Sequence, residues 1–334
     1  MGFIIFVIVI ILVVILVRKS SKGDSSSKTS NTNGEILKII EAADRDDPNA
    51  IETLDKMFDN GLTSEKHNEL RKKVYMPKAQ NGDPNAQYWM GFLCQYIDKN
   101  PALALSWYSK AADNGNTEAM RALSDGYGYL NDPDSLTVGF GLNEQKSKDW
   151  LLKAANAGDG KAQCDLGFNC TMNDDTDGAV KWYTKATGCK DCSVRVKAYG
   201  GLGNVYYYGI EPPFDYESAK KMYMQALEQA QKAFGSVSVD SISPAKRAAY
   251  HWSKISDEYS DAASKLASIF KTEYDLKGNS QSLKRAAYCY TLSYASYPND
   301  STMDTLRKLP YHISEDQWNQ WINDGRNCWF HLPS

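Results

Sequence analysis

The sequence predicts an all-α fold of stacked antiparallel helix pairs, preceded by a single transmembrane helix. Three observations lead to this prediction. Apolar residues recur at helical spacing from residue 36 onward. A motif built on alanine and an aromatic residue returns four times between residues 81 and 230. The first seventeen residues contain no charged side chain, which indicates the transmembrane helix. Valine and isoleucine, which favour strands, are concentrated in that segment, so the rest of the chain favours helices.

The totals bound the class of protein. The chain has 334 residues, of which 42% are hydrophobic, which is ample for a packed core. The formal net charge of −3 argues against nucleic acid as a partner, because nucleic acid normally requires a basic face. Seven cysteines are an odd number, which fits no complete set of disulfides and favours a reducing compartment.

Residues 1–19 are predicted to be a membrane anchor. As a helix, Met1–Val17 would span about 25 Å, slightly less than the ~30 Å hydrocarbon core. Arg18 and Lys19 can extend this reach by snorkelling to the interface. A cleaved signal peptide would carry its positive charges before the apolar run, whereas here they follow it. The signal peptide and a buried core helix are the alternatives.

The orientation of the anchor follows from the charges that flank it. The basic residues Arg18, Lys19, Lys22 and Lys28 follow the apolar run, so the positive-inside rule places the body of the protein in the cytoplasm. The alternative is a periplasmic or extracellular body. Residues 20–34 are rich in serine, threonine, asparagine, lysine and glycine, and this composition predicts a flexible linker.

Residues 35–80 are predicted to form N-terminal helices that resemble a degenerate repeat. Ile36 and Ile40 begin an amphipathic stretch at helical spacing. Asp47-Pro48 marks a helix start, because proline is tolerated in the first turn. Thr63-Ser64 can cap the next helix.

Residues 81–230 contain four copies of one pattern. Each copy has an alanine early in its first helix and a large aromatic residue in its second helix. The alanines are Ala86, Ala119, Ala162 and Ala198, and the aromatic residues are Trp107, Trp150, Trp182 and Tyr223. The second copy is longer because it carries an insertion, residues 131–143, which is rich in glycine, aspartate and proline and predicts a loop.

This pattern resembles the Sel-1-like repeat, a relative of the tetratricopeptide repeat. Gly82–Ala86 matches the start of the family's pattern, and Trp107–Ala112 matches its end. Leu166-Gly167 and Leu202-Gly203 match the leucine-glycine dipeptide in the middle of the pattern. Leu123-Ser124 departs from that dipeptide. The resemblance implies a right-handed superhelical solenoid of antiparallel helix pairs that mediates protein–protein contacts. Alanine and glycine would let two helices approach, and the tryptophan-tyrosine pair would fill the groove between hairpins.

Residues 231–334 are predicted to be a degenerate helical repeat followed by C-terminal capping helices. Residues 261–270 and 282–292 read as another hairpin. Residues 314–325 begin with a helix-start signal and contain two tryptophans that could cover the last apolar face.

No residue pattern predicts catalysis, a metal or a cofactor. The four histidines, at positions 67, 251, 312 and 331, have no histidine or cysteine at metal-ligand spacing. Cys189 and Cys192 are best interpreted as two loop cysteines. Some secreted members of the Sel-1-like family clamp each hairpin with a disulfide, so the resemblance makes Cys164 and Cys189 a candidate pair. That pair would imply a body outside the cytoplasm.

The candidate binding surface is the concave face formed by the first helices. Positions 3, 6 and 10 residues after each repeat alanine cluster on one side of the helix, away from the repeat motif. The predicted partner-binding residues at these positions are Trp89, Phe92, Tyr96, Asp125, Tyr129, Asp165, Phe168, Asn204 and Tyr208. Several are aromatic, which suits interface anchors. The alternative is that they pack against neighbouring first helices.

The sequence therefore predicts a membrane-anchored scaffold or adaptor whose groove binds another protein or a peptide. The alternative is an immunity-like protein that neutralises a toxic effector at the cell envelope. An enzyme is the third possibility, and we do not expect one.

Overall fold

A computed structural model describes residues 28–45, 47, 50, 53–54, 57, 63–128, 139–209, 215–235, 244–296, 298–326 and 330–333, with backbone only for 28–33, 233–235 and 244–256. These residues form helices and turns without any strand. The predicted anchor, residues 1–19, lies outside them. None of the helices within the described ranges is both long and apolar enough to cross a membrane.

The chain divides into two compact units, Met1–Asn143 and Glu144–Ser334. The helices of the first unit are α1 (Lys28–Ala43), α2 (Ser64–Gln80), α3 (Pro84–Phe92, continued by the π-helical turn Leu93–Ile97), α4 (Pro101–Asp113) and α5 (Thr117–Gly128). Those of the second are α6 (Glu144–Asn156), α7 (Gly160–Met172), α8 (Thr176–Ala186), α9 (Cys192–Tyr208), α10 (Tyr216–Gly235), α11 (Pro244–Lys277), α12 (Ser280–Ser296), α13 (Asp300–Lys308) and α14 (Glu315–Arg326).

Helix α1 begins earlier than the sequence predicts. It starts at Lys28, inside the segment 20–34 that was predicted to be a flexible linker, so that prediction is wrong for residues 28–34. Ile40 is fully buried and fixes the downstream part of the helix. A helix that is already nucleated by packing gains one hydrogen bond for each residue added, so it extends through polar residues of modest helix propensity. Residues 20–27 lie outside the described ranges.

The predicted turns between repeats share one local structure. Gly82 has φ +90°, which ends α2, and the Asp83 carboxylate accepts a hydrogen bond from the Ala86 amide at 2.8 Å, which starts α3. The same glycine conformation and the same cap, an aspartate or asparagine, recur at Gly115-Asn116 and Gly158-Asp159. In the first three copies, the amide of the alanine that marks the repeat is therefore bonded by the cap three residues before it.

In two of the repeats, a buried glutamine of the first helix forms a hydrogen bond with the end of the preceding helix. Gln87 donates from its side-chain amide to the Ala79 carbonyl at 3.1 Å, and Gln163 donates to the Ala155 carbonyl at 3.0 Å. Both carbonyls belong to the last turn of a helix, where no intrahelical donor is available. One side chain thus satisfies a helix end and joins consecutive repeats.

Within the hairpins, a glycine of the first helix faces a tyrosine ring of the second. A β-carbon on Gly91 would lie 2.5 Å from the Tyr108 ring, and one on Gly203 would lie 2.5 Å from the Tyr223 ring. Tyr108 and Tyr223 are fully buried. The leucine-glycine dipeptide of the motif is therefore a requirement of close packing, because any larger residue would overlap the ring.

The tryptophan of the motif has a different role from the one predicted. Only the tyrosine is fully buried, whereas Trp107, Trp150 and Trp182 are half-buried. A lysine three residues after each tryptophan places its ammonium over the indole ring, at 4.6, 4.0 and 4.2 Å from the ring centroid for Lys110, Lys153 and Lys185. The sequence predicts that both rings fill the groove between hairpins. In the structure the tyrosine is buried, whereas the tryptophan is only half-buried and has a lysine ammonium over its ring.

The second copy replaces the missing glycine-tyrosine contact with a residue from its insertion. Ser124 stands where the motif has glycine, yet Gly126, two residues later, packs directly against the Phe140 ring. The Phe140 amide donates to the Gly126 carbonyl at 2.7 Å, and its ring lies 6.2 Å from that of Tyr108. The end of the insertion thus fills the space beside α5.

At the C-terminus, α11 and α12 pack together where the last hairpin was predicted. Helix α14 packs against α12 through Trp321, whose ring lies 5.4 Å from that of Tyr288. The Tyr288 hydroxyl also accepts a hydrogen bond from the His331 amide at 3.0 Å, which holds the terminal segment beside the buried Phe330. These residues cover the apolar face of α12.

We expect Gly203→Ala to lower the free energy of unfolding by about 1–3 kcal/mol, because the new methyl group overlaps the Tyr223 ring. The matched control is Gly200→Ala in the same helix, where a β-carbon would meet no atom within 4 Å. It should raise the free energy of unfolding by about 0.5–1 kcal/mol, because glycine is a poor helix former. Urea unfolding followed by circular dichroism measures both, and equal effects would contradict the close contact.

Candidate functional site

The first helices of the second unit expose a row of large apolar side chains. Helices α7, α9 and α11 pack side by side. Phe168 and Met172 on α7 are 54% and 67% exposed, and Tyr208 on α9 is 58% exposed. Phe168 and Tyr208 were predicted as partner-binding residues, and Met172 occupies the same repeat position as Tyr208. We call these three side chains the apolar row.

Polar contacts join these helices across the same face. Lys197 on α9 donates to the Asp165 carboxylate on α7 at 2.9 Å, and both side chains are partly exposed. Asn204, also a predicted site residue, accepts a hydrogen bond from the buried Tyr223 hydroxyl at 2.7 Å. Asp165 and Asn204 therefore position helices as well as line the surface.

Lys265 links α11 to the end of α9. Its ammonium donates to the Tyr208 hydroxyl and lies 4.7 Å from the Tyr208 ring centroid. Burial disfavours the charged ammonium, but the hydrogen bond to Tyr208 and the nearby Asp261 carboxylate outweigh burial and raise the pKa of Lys265. The lysine thus stays charged and fixes the orientation of the tyrosine ring.

A small open cavity lies beside the apolar row. Its volume is about 140 Å³, and it opens where α7 ends, α8 begins and α9 ends. The residues that line it are Thr171, Asp174, Thr176, Ala179, Asn204, Val205, Tyr208 and Gly209. Two of the predicted site residues, Asn204 and Tyr208, therefore meet in one concave feature.

In the first unit, the predicted face of α3 is covered by α2. The Trp89 ring stacks on Tyr75 at 5.8 Å, and the Arg71 guanidinium lies 4.8 Å from its centroid. Phe92 packs on Trp89 at 5.5 Å, and Tyr96 packs on Phe92 at 4.8 Å. All three predicted residues are half-buried. Trp89 thus packs against α2, the helix before its own, and Phe92 and Tyr96 extend this cluster.

No local sequence pattern predicts the polar network that holds α2 in this place. Arg71 donates to both carboxylate oxygens of Asp44, just beyond the end of α1, and the Tyr75 hydroxyl donates to the same carboxylate at 2.9 Å. The Asp44 side chain is only 2% exposed. Arg71 follows Asp44 by 27 residues, and no local pattern connects the two.

The remaining predicted surface residues belong to the second copy. Asp125 lies exposed on α5 in the first unit. Tyr129 lies outside the described residues. Asp125 thus belongs to the first unit, whereas the apolar row belongs to the second.

The candidate disulfide is not formed in this structure, where Cys164 and Cys189 are both free thiols. They belong to one apolar cluster, in which Cys164 is fully buried and its thiol points to the Val194 carbonyl at 3.7 Å. Burial raises the pKa of the Cys164 thiol to about 12, so it remains protonated. Cys164 therefore packs as a small hydrophobic residue.

Arg195 organises the Cys189–Cys192 turn, which sequence reasoning treated as two loop cysteines. Its guanidinium donates to the Cys189 carbonyl at 2.7 Å and contacts the Cys192 sulfur at 2.8 Å. A further bond reaches Gln229 on α10 at 2.8 Å. The turn is thus fixed to the next helix pair. Within the described ranges, no three histidine, cysteine, aspartate or glutamate side chains converge as metal ligands.

Four segments of the chain match the family model of the Sel1 repeat: residues 84–116, 117–159, 161–188 and 196–230. The chain thus contains four Sel1 repeats, in agreement with the resemblance seen in the sequence. It is also 34% identical over 101 residues to the chitin synthase regulator SKT5 of Saccharomyces cerevisiae. The matched stretch is 28% of this chain and only 14% of that relative's length.

Two solved structures resemble this one. The first is a protective antigen of uropathogenic Escherichia coli strains with an SLR fold, which gives a TM-score of 0.56 at 19% identity and covers 89% of this chain and 58% of that one. The second is a Sel1 repeat protein from Oxalobacter formigenes, with a TM-score of 0.52 at 21% identity and coverage of 78% and 92%. Both likenesses show the fold, an all-helical arrangement of Sel1-like repeats.

We expect Trp89→Ala to lower the free energy of unfolding by about 3 kcal/mol, since it removes the ring between Tyr75 and Arg71. Phe168→Ala is the matched control on another first helix. Its ring is mostly exposed, so the change should stay within about 0.5 kcal/mol. Urea unfolding of both variants measures this difference. A larger loss for Phe168→Ala than for Trp89→Ala would contradict the assignment of the two surfaces.

Proposed function

We propose that this chain of Sel1 repeats is a membrane-anchored adaptor that holds a partner protein or peptide on the first-helix face of its second unit. The apolar row supports this role most directly. Phe168, Met172 and Tyr208 are each more than half exposed, although neighbouring positions of the same helices are buried. Large exposed side chains on adjacent packed helices of a folded unit suit an interaction site.

The polar groups around the row also favour binding over chemistry. Asp165 is paired with Lys197, and Asn204 is held by Tyr223, so these groups serve the packing of the helices. The curated relative is named as a regulator of an enzyme, which supports a noncatalytic role for the related stretch of this chain. We therefore propose that the protein acts on a partner by holding it.

The membrane anchor remains part of the proposal. The uncharged segment Met1–Val17 would tether the repeats, and the basic residues that follow it favour a cytoplasmic body. The free thiols of Cys94, Cys164 and Cys289, all buried, fit a reducing compartment. A tether to the membrane would place the binding face near membrane-bound partners.

A triple variant of the apolar row tests the binding face. We expect Phe168→Ser, Met172→Ser and Tyr208→Ser together to reduce recovery of the partner by at least about tenfold, the loss that corresponds to ~1.4 kcal/mol of binding free energy. The tagged full-length chain, solubilised in mild detergent from its own cells, serves as bait, and quantitative mass spectrometry compares the recovered proteins.

The control for this experiment is Leu276→Ser, which removes a 78% exposed leucine near the end of α11. It should recover the partner as well as the wild type does. If the triple variant keeps every specifically recovered protein while its unfolding midpoint is unchanged, the apolar row is not the binding face.

Reporter fusions test the proposed orientation. Green fluorescent protein at the C-terminus should fluoresce, and alkaline phosphatase at the same position should stay inactive, because the charges after the apolar run favour a cytoplasmic body. Active phosphatase with a dark fluorescent fusion would place the body in the periplasm or outside the cell.

A further inference from the structure

We infer that the partner presents a basic segment to this face, with a lysine or arginine side chain that enters the cavity beside Asp174 and Tyr208. A neighbouring apolar side chain of the same segment would pack on Phe168 and Met172. The inference rests on the proposed binding function and names the chemistry of the segment that binds.

The charge of the cavity carries this inference. Asp174 is the only formally charged residue among those that line it. The turn between α7 and α8 also contains Asp175 and Asp177, and none of the three carboxylates forms an ion pair with a described residue. Asp175 caps α8 by accepting from the Gly178 amide at 2.9 Å, which leaves its charge in place. Asp174 therefore lines the cavity, and two further carboxylates without a described ion-pair partner belong to the same exposed turn.

The end of α9 adds to this negative potential. The helix ends at Tyr208, and the Gly209 amide bonds back to the Val205 carbonyl at 3.1 Å. The last carbonyls of a helix carry a partial negative charge, and this end of α9 borders the cavity through Tyr208 and Gly209. Both features, the acidic turn and the helix end, favour a cation in the space between them.

The one cation nearby does not cancel this potential. Lys265 contacts the Tyr208 hydroxyl and ring but does not line the cavity. Asp261, one turn earlier on α11, raises the pKa of Lys265 and offsets its charge. The lysine therefore holds the tyrosine ring in place, and the cavity keeps its acidic side.

Tyr208 and Asp174 together suit a basic side chain. A tyrosine ring attracts a cation within about 6 Å of its centroid. A carboxylate forms a charge-assisted hydrogen bond with the same group. Arginine fits best, because its planar guanidinium can stack on the ring and donate to the carboxylate at once.

The surface next to the cavity explains the apolar half of the segment. Phe168 and Met172 are four residues apart and lie on one side of α7. On α9, Gly200 lies in the helix interior with no atom within 4 Å of the place of a β-carbon. No described contact requires a glycine at this position. Because glycine has no side chain, a partner segment could approach the backbone of α9 closely there. A cationic residue flanked by an apolar one matches this arrangement.

An acidic segment fits the same surface poorly. Its carboxylates would approach Asp174, Asp175 and Asp177, and like charges brought together across an interface are unfavourable. A second copy of this chain would have to offer an exposed basic residue beside an apolar one, which the test below examines separately.

A library of random 12-residue peptides displayed on phage is the probe. It is panned against the full-length chain in detergent micelles, with the Phe168→Ser, Met172→Ser and Tyr208→Ser triple variant as the counter-selection. We expect the enriched peptides to contain lysine or arginine within four residues of a leucine or an aromatic residue. The best peptide is then synthesised, and its Kd is measured by fluorescence anisotropy.

Single substitutions separate the two halves of the site. Asp174→Asn should weaken binding of this peptide by about 3–10-fold, and Tyr208→Ala by about tenfold, as is usual for interface anchors. Asp113→Asn removes the same charge from an exposed position on α4 in the first unit and should leave the Kd unchanged. The affinity should also fall as salt rises, because the pairing is electrostatic and partly exposed.

The outcomes distinguish the inference from the function on which it rests. Enriched peptides that are acidic or uncharged, but still depend on Tyr208, would overturn the basic segment and keep the binding face. Peptides that bind the triple variant equally well, or no enrichment at all, would overturn both. Self-association in sedimentation velocity that Tyr208→Ala abolishes would show that the occupant is a second copy, which also overturns the basic segment.

Discussion

Three of the four repeats depend on the absence of a β-carbon at one position of the first helix. At Gly91, Gly167 and Gly203 the space that a side chain would fill is taken by a buried tyrosine ring from the second helix. This contact brings the two helices close enough to bury their alanines completely, as at Ala86 and Ala198. Each hairpin therefore has a thin, rigid interior, and its larger side chains are directed to the outer edges of the helices.

Which outer edges remain open depends on what precedes each helix. On α3, Phe92 and Tyr96 stand at the positions of Phe168 and Met172 and are half-buried, because Phe92 packs on Trp89, which contacts Arg71 and Tyr75 of α2. On α7 and α9 the corresponding residues Phe168, Met172 and Tyr208 are exposed. The same repeat positions thus serve packing in the first unit and offer a surface in the second.

Charge then gives that surface a preference. The ion pair of Asp165 with Lys197, which joins α7 to α9, is neutral overall, so it contributes little net potential. The turn at Asp174–Asp177 is not neutralised in this way, and it adjoins the cavity that Tyr208 and Asn204 line. Shape and apolar contact come from the repeat, whereas the electrostatic character comes from a turn outside the motif.

The sequence by itself determined the four repeats between residues 81 and 230 and the helix cap at Thr63. These features follow from spacing within a few residues, which local hydrogen bonds and helical geometry translate directly into structure. It did not determine the start of α1 at Lys28, the use of Phe140 beside Gly126, or the burial of Trp89. Those were decided by tertiary structure, because a helical position fixes the direction of a side chain but not what packs against it. That depends on residues far away in the sequence, such as Asp44 and Arg71, which no local pattern connects.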